Sequence, residues 1–260
     1  MVLYYHAVSL NQRKYFALQM DQLTRFTRPV AADIMEPLEK GIRYACVTFD
    51  DGYECLLENA LPELTKRNIP TTIFIQTGHF GRCPEWITEE SHPLRSKRIM
   101  TAGQLKEINN DLISIGSHCV SHAKLSYLDE KTTKRELLES KKQLEAILGK
   151  EVKLLSFPHG DYNQKVIELS KMVGYKRVFT IQPTLARLSP EEYVTGRIKV
   201  EPSDWRLEFR LKLLGAYRWL PMVFALKRRV SLLISRYLIY KTNPSRNETK
   251  PKTRLGEGIL

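Results

Sequence analysis

The chain has 260 residues, 42% of them hydrophobic and 27% charged, which is typical of a soluble globular fold with one large domain or a domain plus an appendage. Its four cysteines form no CxxC pair and no dense framework, which argues against a disulfide-stabilised secreted domain and favours a reducing compartment. The N-terminus lacks a basic region followed by a long apolar one, so no signal peptide is predicted.

Positive charge is concentrated towards the C-terminus. The formal net charge is +12, but residues 205–241 carry nine Lys or Arg and one Glu, and residues 242–260 carry four Lys or Arg and two Glu. Residues 1–204 therefore hold a net charge of only +2, so the body of the protein is nearly neutral.

Strand-like and helix-like patterns alternate along residues 1–200, which favours a parallel α/β fold. Short apolar or β-branched runs predict strands at 2–8, 44–49, 71–76, 112–116, 153–157, 176–181 and 193–200. Amphipathic patterns predict helices at 13–26, 53–67, 101–108, 129–148 and 162–173. Pro62 is expected to kink or break the second of these helices.

Residues 77–100 form a long irregular segment with two glycines and two prolines. A loop of that length in a compact domain is more often a functional rim than a plain connection. Its two histidines, His79 and His92, are expected to be exposed to solvent.

The stretch Thr48-Phe49-Asp50-Asp51-Gly52 organises the chemistry. Asp50 and Asp51 follow the second predicted strand directly, and a glycine ends it. Side chains alternate between faces within a strand, but at its end both carboxylates can turn into one pocket. Two buried acids side by side repel each other, and a divalent cation is the usual way to offset their charge.

Candidate ligands for that cation follow in the segment Ser117 to His122. The spacing His118-x-x-x-His122 places two imidazoles close enough to share one ion. Two neutral imidazoles and one carboxylate leave open positions on the metal, the pattern for an ion that activates water, with zinc as the favoured ion. Of the two aspartates, one can be a ligand and the other a general base.

Three segments, in this order, resemble the first three motifs of the polysaccharide deacetylases, the NodB-homology family. They are residues 48–52, the segment His118 to His122, and Phe157-Pro158-His159-Gly160. The similarity covers about residues 1–200. The resemblance implies an α/β fold, a distorted (β/α)7 barrel, which a basic amphipathic helical extension follows here.

The resemblance also implies which residues perform the chemistry. Asp50 would be the general base, and the metal ligands would be Asp51, His118 and His122. The backbone N–H of His159, flanked by Pro158 and Gly160, would stabilise the oxyanion together with the metal. The implied reaction is hydrolysis of an N-acyl group, typically acetyl, from an amino sugar.

The general acid needs a separate argument, because no histidine follows His159. Many family members carry a catalytic histidine after the third motif. In the branch resembling the poly-N-acetylglucosamine deacetylases it comes from the first strand instead, and Tyr4-Tyr5-His6-Ala7-Val8 fits that variant. His6 is therefore assigned as the acid that protonates the leaving amine; the alternative is a histidine of the core.

The sequence departs from the family pattern at several positions. Cys119 stands where Ser or Thr is common, and His159 stands where Tyr is common. The arginine often found just before the third motif is missing. Arg197, near the end of the last predicted strand, is proposed to orient Asp50 in its place.

Residues 205–241 mix aromatic and aliphatic residues with basic ones, and their longest uncharged run, Trp219 to Leu226, is too short to span a bilayer. The pattern favours a helical segment lying on an anionic membrane surface, with a helix packed on the barrel as the alternative. No recognition motif accompanies the charge, so no nucleic-acid partner is predicted. Residues 242–260 are predicted to be a disordered tail.

The sequence thus favours a metal-dependent hydrolase that removes N-acetyl groups from amino sugars of a polysaccharide or lipid-linked glycan. Its predicted location is the cytoplasm, at the inner face of the membrane. Two alternatives stay open: a deformylase or other amide hydrolase acting on a lipid-linked sugar, and a catalytically inactive glycan-binding protein of the same fold. The complete set of two aspartates and two histidines argues against the inactive protein, whereas the altered third motif argues for it.

Overall fold

The computed structural model describes residues 1–216 except Leu185 and Pro190. The strands of this part are β1 (Val2–Tyr5), β2 (Arg28–Pro29), β3 (Tyr44–Phe49), β4 (Thr71–Ile75), β5 (Ile113–Ser117), β6 (Leu154–Ser156), β7 (Arg177–Phe179), β8 (Val194–Thr195) and β9 (Ile198–Lys199). The helices are α1 (Arg13–Phe26), α2 (Leu56–Asn59), α3 (Leu61–Lys66), α4 (Ala102–Ile108), α5 (Glu130–Leu148), α6 (Gln164–Val173) and α7 (Arg206–Leu213). Short 3₁₀ turns lie at Leu10–Gln12, Thr77–His79, Leu125–Tyr127 and Pro158–Gly160.

The strands form one curled parallel sheet in the order β8-β7-β6-β5-β4-β3-β1-β9, and β2 pairs with the start of β3. The two ends of this order, β8 and β9, are separated in sequence only by Gly196 and Arg197. One segment therefore pairs with β7 through Val194 and with β1 through Ile198, and brings the edges of the sheet together. If β8 and β9 are counted as one strand and β2 is left out, the barrel has seven strands. The fold is therefore the distorted (β/α) barrel that the resemblance implied.

Alternation along the strands gives the sheet two different faces. The outer face packs against the helices in a large apolar layer that includes Phe16, Met20, Val47, Ile73, Leu137, Leu144, Leu155 and Val178. The inner face holds a smaller apolar cluster that includes Val2, Cys46, Phe74, Leu154 and Phe179. Strands buried on both faces explain the nearly continuous apolar runs of the sequence.

Most predicted elements are present, with two informative differences. The helix predicted at 53–67 is divided into α2 and α3 at Ala60, and Pro62 lies in the first turn of α3, where its missing N–H is not needed. The first strand ends at Tyr5, so His6 lies beyond the strand rather than inside it. The reason is its partner: Tyr5 pairs with Phe49, the last residue of β3.

The first part of the basic C-terminal segment packs on the barrel. Phe209 and Leu213 of α7 are fully buried in the outer apolar layer, and the guanidinium of Arg210 lies 4.6 Å from the ring centre of Phe26 on α1. Of the helical segment predicted over 205–241, the structure describes the first part, in which α7 ends at Leu213. Residues from 217 onwards, including the predicted tail, lie outside the described residues. The boundary predicted at 204/205 stays a prediction. Among the described helices, none combines the length and apolar character needed to cross a bilayer.

Gly196 lies where the closing segment passes from β7 to β1. A Cβ at this position would overlap Oγ1 of Thr184 and would lie 2.5 Å from the carbonyl oxygen of Gln182. That carbonyl already accepts a hydrogen bond from the Arg197 N–H at 3.0 Å, so the backbone has little room to yield. We expect Gly196→Ala to lower the free energy of unfolding by about 1–3 kcal/mol in urea denaturation.

The matched control is Gly103→Ala in α4, where the nearest atom to an added Cβ is 3.9 Å away. This substitution should leave stability unchanged or raise it, because alanine favours a helix over glycine. If the two variants unfold at the same urea concentration, Gly196 does not limit the closure of the barrel.

Candidate active site

β3 carries Asp50 to the mouth of the barrel. Cys46 belongs to the inner apolar cluster, so alternation also turns Thr48 and Asp50 inwards. Asp51 follows in the left-handed conformation with φ of 68°, and Gly52 continues it with φ of 67°. This turn lets two neighbouring carboxylates line the same pocket. The glycine is required, because a Cβ there would come within 2.8 Å of the Ile75 side chain.

Asp50 forms a two-pronged ion pair with Arg197, which is fully buried. The two terminal guanidinium nitrogens donate to Oδ1 and Oδ2 of Asp50, each at 2.7 Å. They also donate to Oγ1 of Thr48 at 3.1 Å and to Oγ of Ser156 at 2.7 Å, and Nε donates to the Thr180 carbonyl. Burial by itself would raise the pKa of Asp50, but the charge of Arg197 outweighs it and the pKa lies below its ordinary value. Asp50 is therefore an ionised carboxylate with a fixed orientation.

Asp51, His118 and His122 form a second buried cluster next to this pair. Oδ1 of Asp51 lies 3.3 Å from Nε2 of His122 and 3.6 Å from Nε2 of His118. One ligand atom from each residue can be chosen so that all three lie within 4.8 Å of one another. Oδ1 of Asp51 is buried and has no well-aligned hydrogen bond within the described part of the chain. Burial would raise the pKa of Asp51, but its interaction with His122 holds the pKa below the ordinary value.

The tautomer of His118 suits a metal ligand. Its Nδ1 lies 2.7 Å from the carbonyl oxygen of Ser156, which can only accept, so Nδ1 carries the proton and Nε2 presents a lone pair. Burial lowers the pKa of His118 to about 4, so the ring is neutral at pH 7. The lone pair on Nε2 of His118 and the carboxylate oxygen of Asp51 face one another across the cluster, which suits a divalent cation.

The loop that carries both histidines is held by a buried carboxylate on α5. Oε2 of Glu136 accepts the backbone N–H groups of Val120 and Ser121, each at 2.9 Å, and Oε1 accepts the Ser121 hydroxyl at 2.9 Å. On the other side, the Thr77 N–H donates to the Cys119 carbonyl at 3.0 Å. The loop is thus fixed from two directions before any ion binds.

The third motif forms a tight turn against His122. His159 has a left-handed conformation with φ of 57°, and its Nε2 lies 3.2 Å from the His122 carbonyl oxygen. Gly160, also left-handed, borders Ile181, where a Cβ would come within 2.9 Å of Cδ1. Pro158 is buried behind this turn. The structure therefore places the third motif at the rim, beside the two histidines.

A pocket of about 640 Å³ joins these groups. Of the residues predicted for the site, those lining it are His6, Asp50, Asp51, His118, His122, His159 and Gly160. Arg197 lies behind Asp50 and Pro158 lies behind the turn, so neither lines the pocket. His6 lines the same pocket as both aspartates.

Several pocket residues were not predicted from the sequence. Trp86 of the long loop stacks on His122, and Tyr53, Lys97, Lys199 and Glu201 also line the pocket. The expectation that His79 is exposed is wrong. It is 7% exposed and lies with its ring against Trp86. His92 is half-buried in the pocket wall. The spacing of residues along an irregular loop does not predict such contacts. Glu136 could have been noticed from the sequence, because it is a charged residue on the buried face of α5.

Fold and pocket together define a (β/α)-barrel protein with its polar cluster at the carboxyl ends of the strands, where barrel enzymes have their active sites. The sequence profile of the family described as "Polysaccharide deacetylase" matches residues 38–178, more than half of the chain. The chain therefore belongs to the polysaccharide deacetylase family, whose relatives include named hydrolases of carbon–nitrogen bonds in polysaccharides.

Two curated relatives and two solved structures illustrate the similarity. The chain is 28% identical over 212 residues to YxkH of Bacillus subtilis (strain 168), covering 77% of this chain and 71% of that protein. It is 29% identical over 181 residues to the poly-β-1,6-N-acetyl-D-glucosamine N-deacetylase of Staphylococcus aureus (strain MSSA476), covering 65% of this chain and 58% of that enzyme.

In fold, the chain resembles IcaB from Ammonifex degensii with a TM-score of 0.67 and 24% identity, covering 84% of this chain and 96% of that one. It also resembles the Streptococcus pyogenes deacetylase PplD with a TM-score of 0.63 and 21% identity, covering 78% of this chain and 92% of that one. At these sequence identities the structural similarity supports the fold alone. Any inference about the reaction must come from the residues of the site.

We expect Arg197→Met to raise the pKa of Asp50, because a buried carboxylate loses the charge that compensates its burial. A lowered pKa keeps a base ionised down to acid pH, so raising it should move the acid limb of the pH profile of kcat/KM upwards by about 1–3 units. The measurement is acetate release from N-acetylglucosamine oligomers as a function of pH.

The control is Arg177→Met, since Arg177 is also fully buried but donates to the carbonyls of Ala32 and Ile34. Both variants should lose stability, but the acid limb should shift only for Arg197→Met. An acid limb at the wild-type pH in Arg197→Met would show that this arginine does not set the ionisation of Asp50.

Proposed function

We propose that this protein hydrolyses N-acetyl groups of amino sugars in a polysaccharide of the poly-N-acetylglucosamine type, with a divalent cation, most suitably zinc, as cofactor. The observation that carries the proposal is the pair of adjacent buried aspartates with different partners. Asp50 is matched by a guanidinium, while Asp51 faces the Nε2 atoms of His118 and His122. The Staphylococcus aureus relative, named for such a substrate, supports the choice of polymer.

Asp51, His118 and His122 would hold the cation through one carboxylate oxygen and two Nε2 atoms. When bound, the cation supplies Lewis acidity, which polarises the amide carbonyl and lowers the pKa of water. The protein's part is to keep both imidazoles oriented. The Ser156 carbonyl does this for His118, and Glu136 does it for the loop.

Asp50 would act as general base. It accepts a proton from the attacking water as the water oxygen bonds to the carbonyl carbon. Arg197 donates to both carboxylate oxygens of Asp50, and this two-point contact restricts rotation of the carboxylate. The same contact keeps Asp50 ionised at neutral pH.

His6 would act as general acid. The carbon–nitrogen bond breaks as the nitrogen takes a proton from the imidazole, which releases acetate and the free amine of the sugar. The N–H of His159, in the turn with Pro158 and Gly160, would donate to the oxygen that becomes negative during attack. Formyl amides and lipid-linked sugars would react by the same steps, so the assay must distinguish acetate from formate.

We expect Asp50→Asn to reduce kcat for acetate release by about 10²–10⁴-fold, because the base is lost. Its affinity for zinc should change little, since Asp50 is not a proposed ligand. Asp51→Asn should instead lose zinc affinity, measured by competition with a chromogenic chelator. Acetate release by Asp50→Asn at the wild-type rate would refute the proposed mechanism, and sugar binding without turnover in the wild type would favour the inactive glycan-binding alternative.

We further propose that the C-terminal segment contacts an anionic membrane surface, while its inner-face location stays a prediction. The proposal is supported by three exposed leucines on α7 and at its end, which are Leu207, Leu211 and Leu214. Arg206 and Arg210 are exposed beside them. Apolar side chains flanked by arginines suit the interface of anionic lipids.

The full chain should sediment with vesicles of phosphatidylcholine and phosphatidylserine, and the bound fraction should fall as the salt concentration is raised. Leu207→Glu with Leu211→Glu should weaken this binding. Met172→Glu, at a side chain that is 70% exposed on α6, should not. Equal binding by all three proteins would exclude α7 from the contact.

A further inference from the structure

The long loop between β4 and α4 is joined at its base to the turn that carries Asp51. The Glu54 N–H donates to the Arg98 carbonyl at 2.8 Å, and the Met100 N–H donates to the Gly52 carbonyl at 2.9 Å. The loop is also closed on itself, because the Ile99 N–H donates to the Arg82 carbonyl at 2.9 Å. Its base therefore has a fixed position relative to the first metal ligand.

The middle of the same loop reaches the third metal ligand. The indole of Trp86 stacks on the imidazole of His122, with ring centres 4.3 Å apart and planes inclined by 26°. Behind it, the ring of the buried His79 meets Trp86 edge-on at 5.0 Å. One loop thus contacts both segments of the site, the Asp51 turn through backbone and His122 through a side chain.

The two histidines of the site are held in different ways. Nδ1 of His118 has the Ser156 carbonyl as partner at 2.7 Å. Nδ1 of His122 is buried and has no hydrogen-bond partner within the part of the chain that the structure describes. Metal-bound histidines almost always use that second nitrogen to fix the ring. For His122 the orientation must come from packing, and the neighbouring rings are those of Trp86 at 4.3 Å, His159 at 4.4 Å and His118 at 4.9 Å; of these, only Trp86 stacks on it.

We propose that Trp86 is a positioning residue for the metal centre: its indole fixes the His122 ring by stacking, in place of the missing hydrogen bond. The inference rests on the proposed metal site of Asp51, His118 and His122, and adds to it a residue outside all three motifs. It gives the long loop a defined role, which is to couple the Asp51 turn to His122. Since an aromatic plane is what matters, phenylalanine should replace tryptophan and leucine should not.

The test uses the metal-free full chain with zinc or cobalt(II) alone as probe. Zinc affinity is measured by chelator competition for the wild type, Trp86→Phe, Trp86→Leu and the control Ile87→Ala, whose side chain also lines the pocket. Trp86→Leu should bind zinc about 10–100-fold more weakly, while Trp86→Phe and Ile87→Ala should stay near the wild type. Circular dichroism and thermal melting check that each variant is folded.

Cobalt(II) gives a second readout, because its open d shell quenches a fluorophore in contact with its ligand. The chain has three tryptophans, so the quenching lost in Trp86→Phe is the share of Trp86. Most of the cobalt-dependent quenching of the wild type should disappear in this variant. Quenching that persists would place Trp86 away from the bound ion and overturn the inference, even if Trp86→Leu fails to fold.

The outcomes separate this inference from the proposed function. If the wild type binds zinc and a folded Trp86→Leu binds it equally well, or if quenching persists in Trp86→Phe, the role of Trp86 is overturned and the deacetylase proposal is untouched. If the wild type binds no metal, the metal-dependent function fails and the inference fails with it. If the wild type binds zinc but releases no acetate, only the proposed function fails.

Discussion

Two neighbouring carboxylates, Asp50 and Asp51, stay ionised in a buried pocket, and the surrounding residues of the site stabilise their charges. Unpaired, they would repel each other, and burial would push the pKa of at least one upwards. The left-handed turn at Asp51 and Gly52 separates their surroundings. Asp50 points into the barrel, where a buried guanidinium compensates it, while Asp51 turns towards the imidazoles of His118 and His122. A single pair of adjacent residues thus supplies one group suited to be a base and one suited to be a ligand.

The closure of the barrel and the construction of the site are the same feature. The segment that brings the sheet edges together carries Arg197 at its bend, between β8 and β9. From there its guanidinium crosses the barrel interior, stacks at 4.6 Å over Tyr4 and reaches Asp50, Thr48 and Ser156 on two other strands. A buried ion pair of this kind is costly to break, because removal of one partner leaves an unpaired buried charge. The ion pair between Arg197 and Asp50 thus links the closing segment to the end of β3 and also lowers the pKa of Asp50.

Much of this arrangement was readable from the sequence, for reasons specific to each residue. Asp50, Asp51, His118 and His122 stand at strand ends and at fixed spacing, and parallel strands bring such ends to one rim. Arg197 was placed by its position near the end of the last strand, and the structure puts it on Asp50. His6 was predicted inside a first strand that runs to Val8, but the register with β3 ends that strand at Tyr5 and leaves His6 at the rim.

The rest could not be read because it depends on how distant segments pack. Trp86 and His79 lie in a loop without periodicity, and only the folded loop brings them to His122. Glu136 lies on a helix whose pattern shows which face is buried, but not that the loop of Val120 and Ser121 lies opposite. Trp86, His79 and Glu136 lie outside the motifs through which the family resemblance is recognised, although their contacts reach the segment of His118 and His122 directly or through Trp86.

The central claim is that one divalent cation binds between Asp51, His118 and His122 while Asp50 stays on Arg197. Its most direct test is a crystal structure of the full chain grown with zinc, with anomalous data collected at the zinc edge. The account predicts one strong peak within about 2.0–2.2 Å of a carboxylate oxygen of Asp51 and of both Nε2 atoms. No peak there, or a zinc ion bound by Asp50 in place of its arginine, would contradict it.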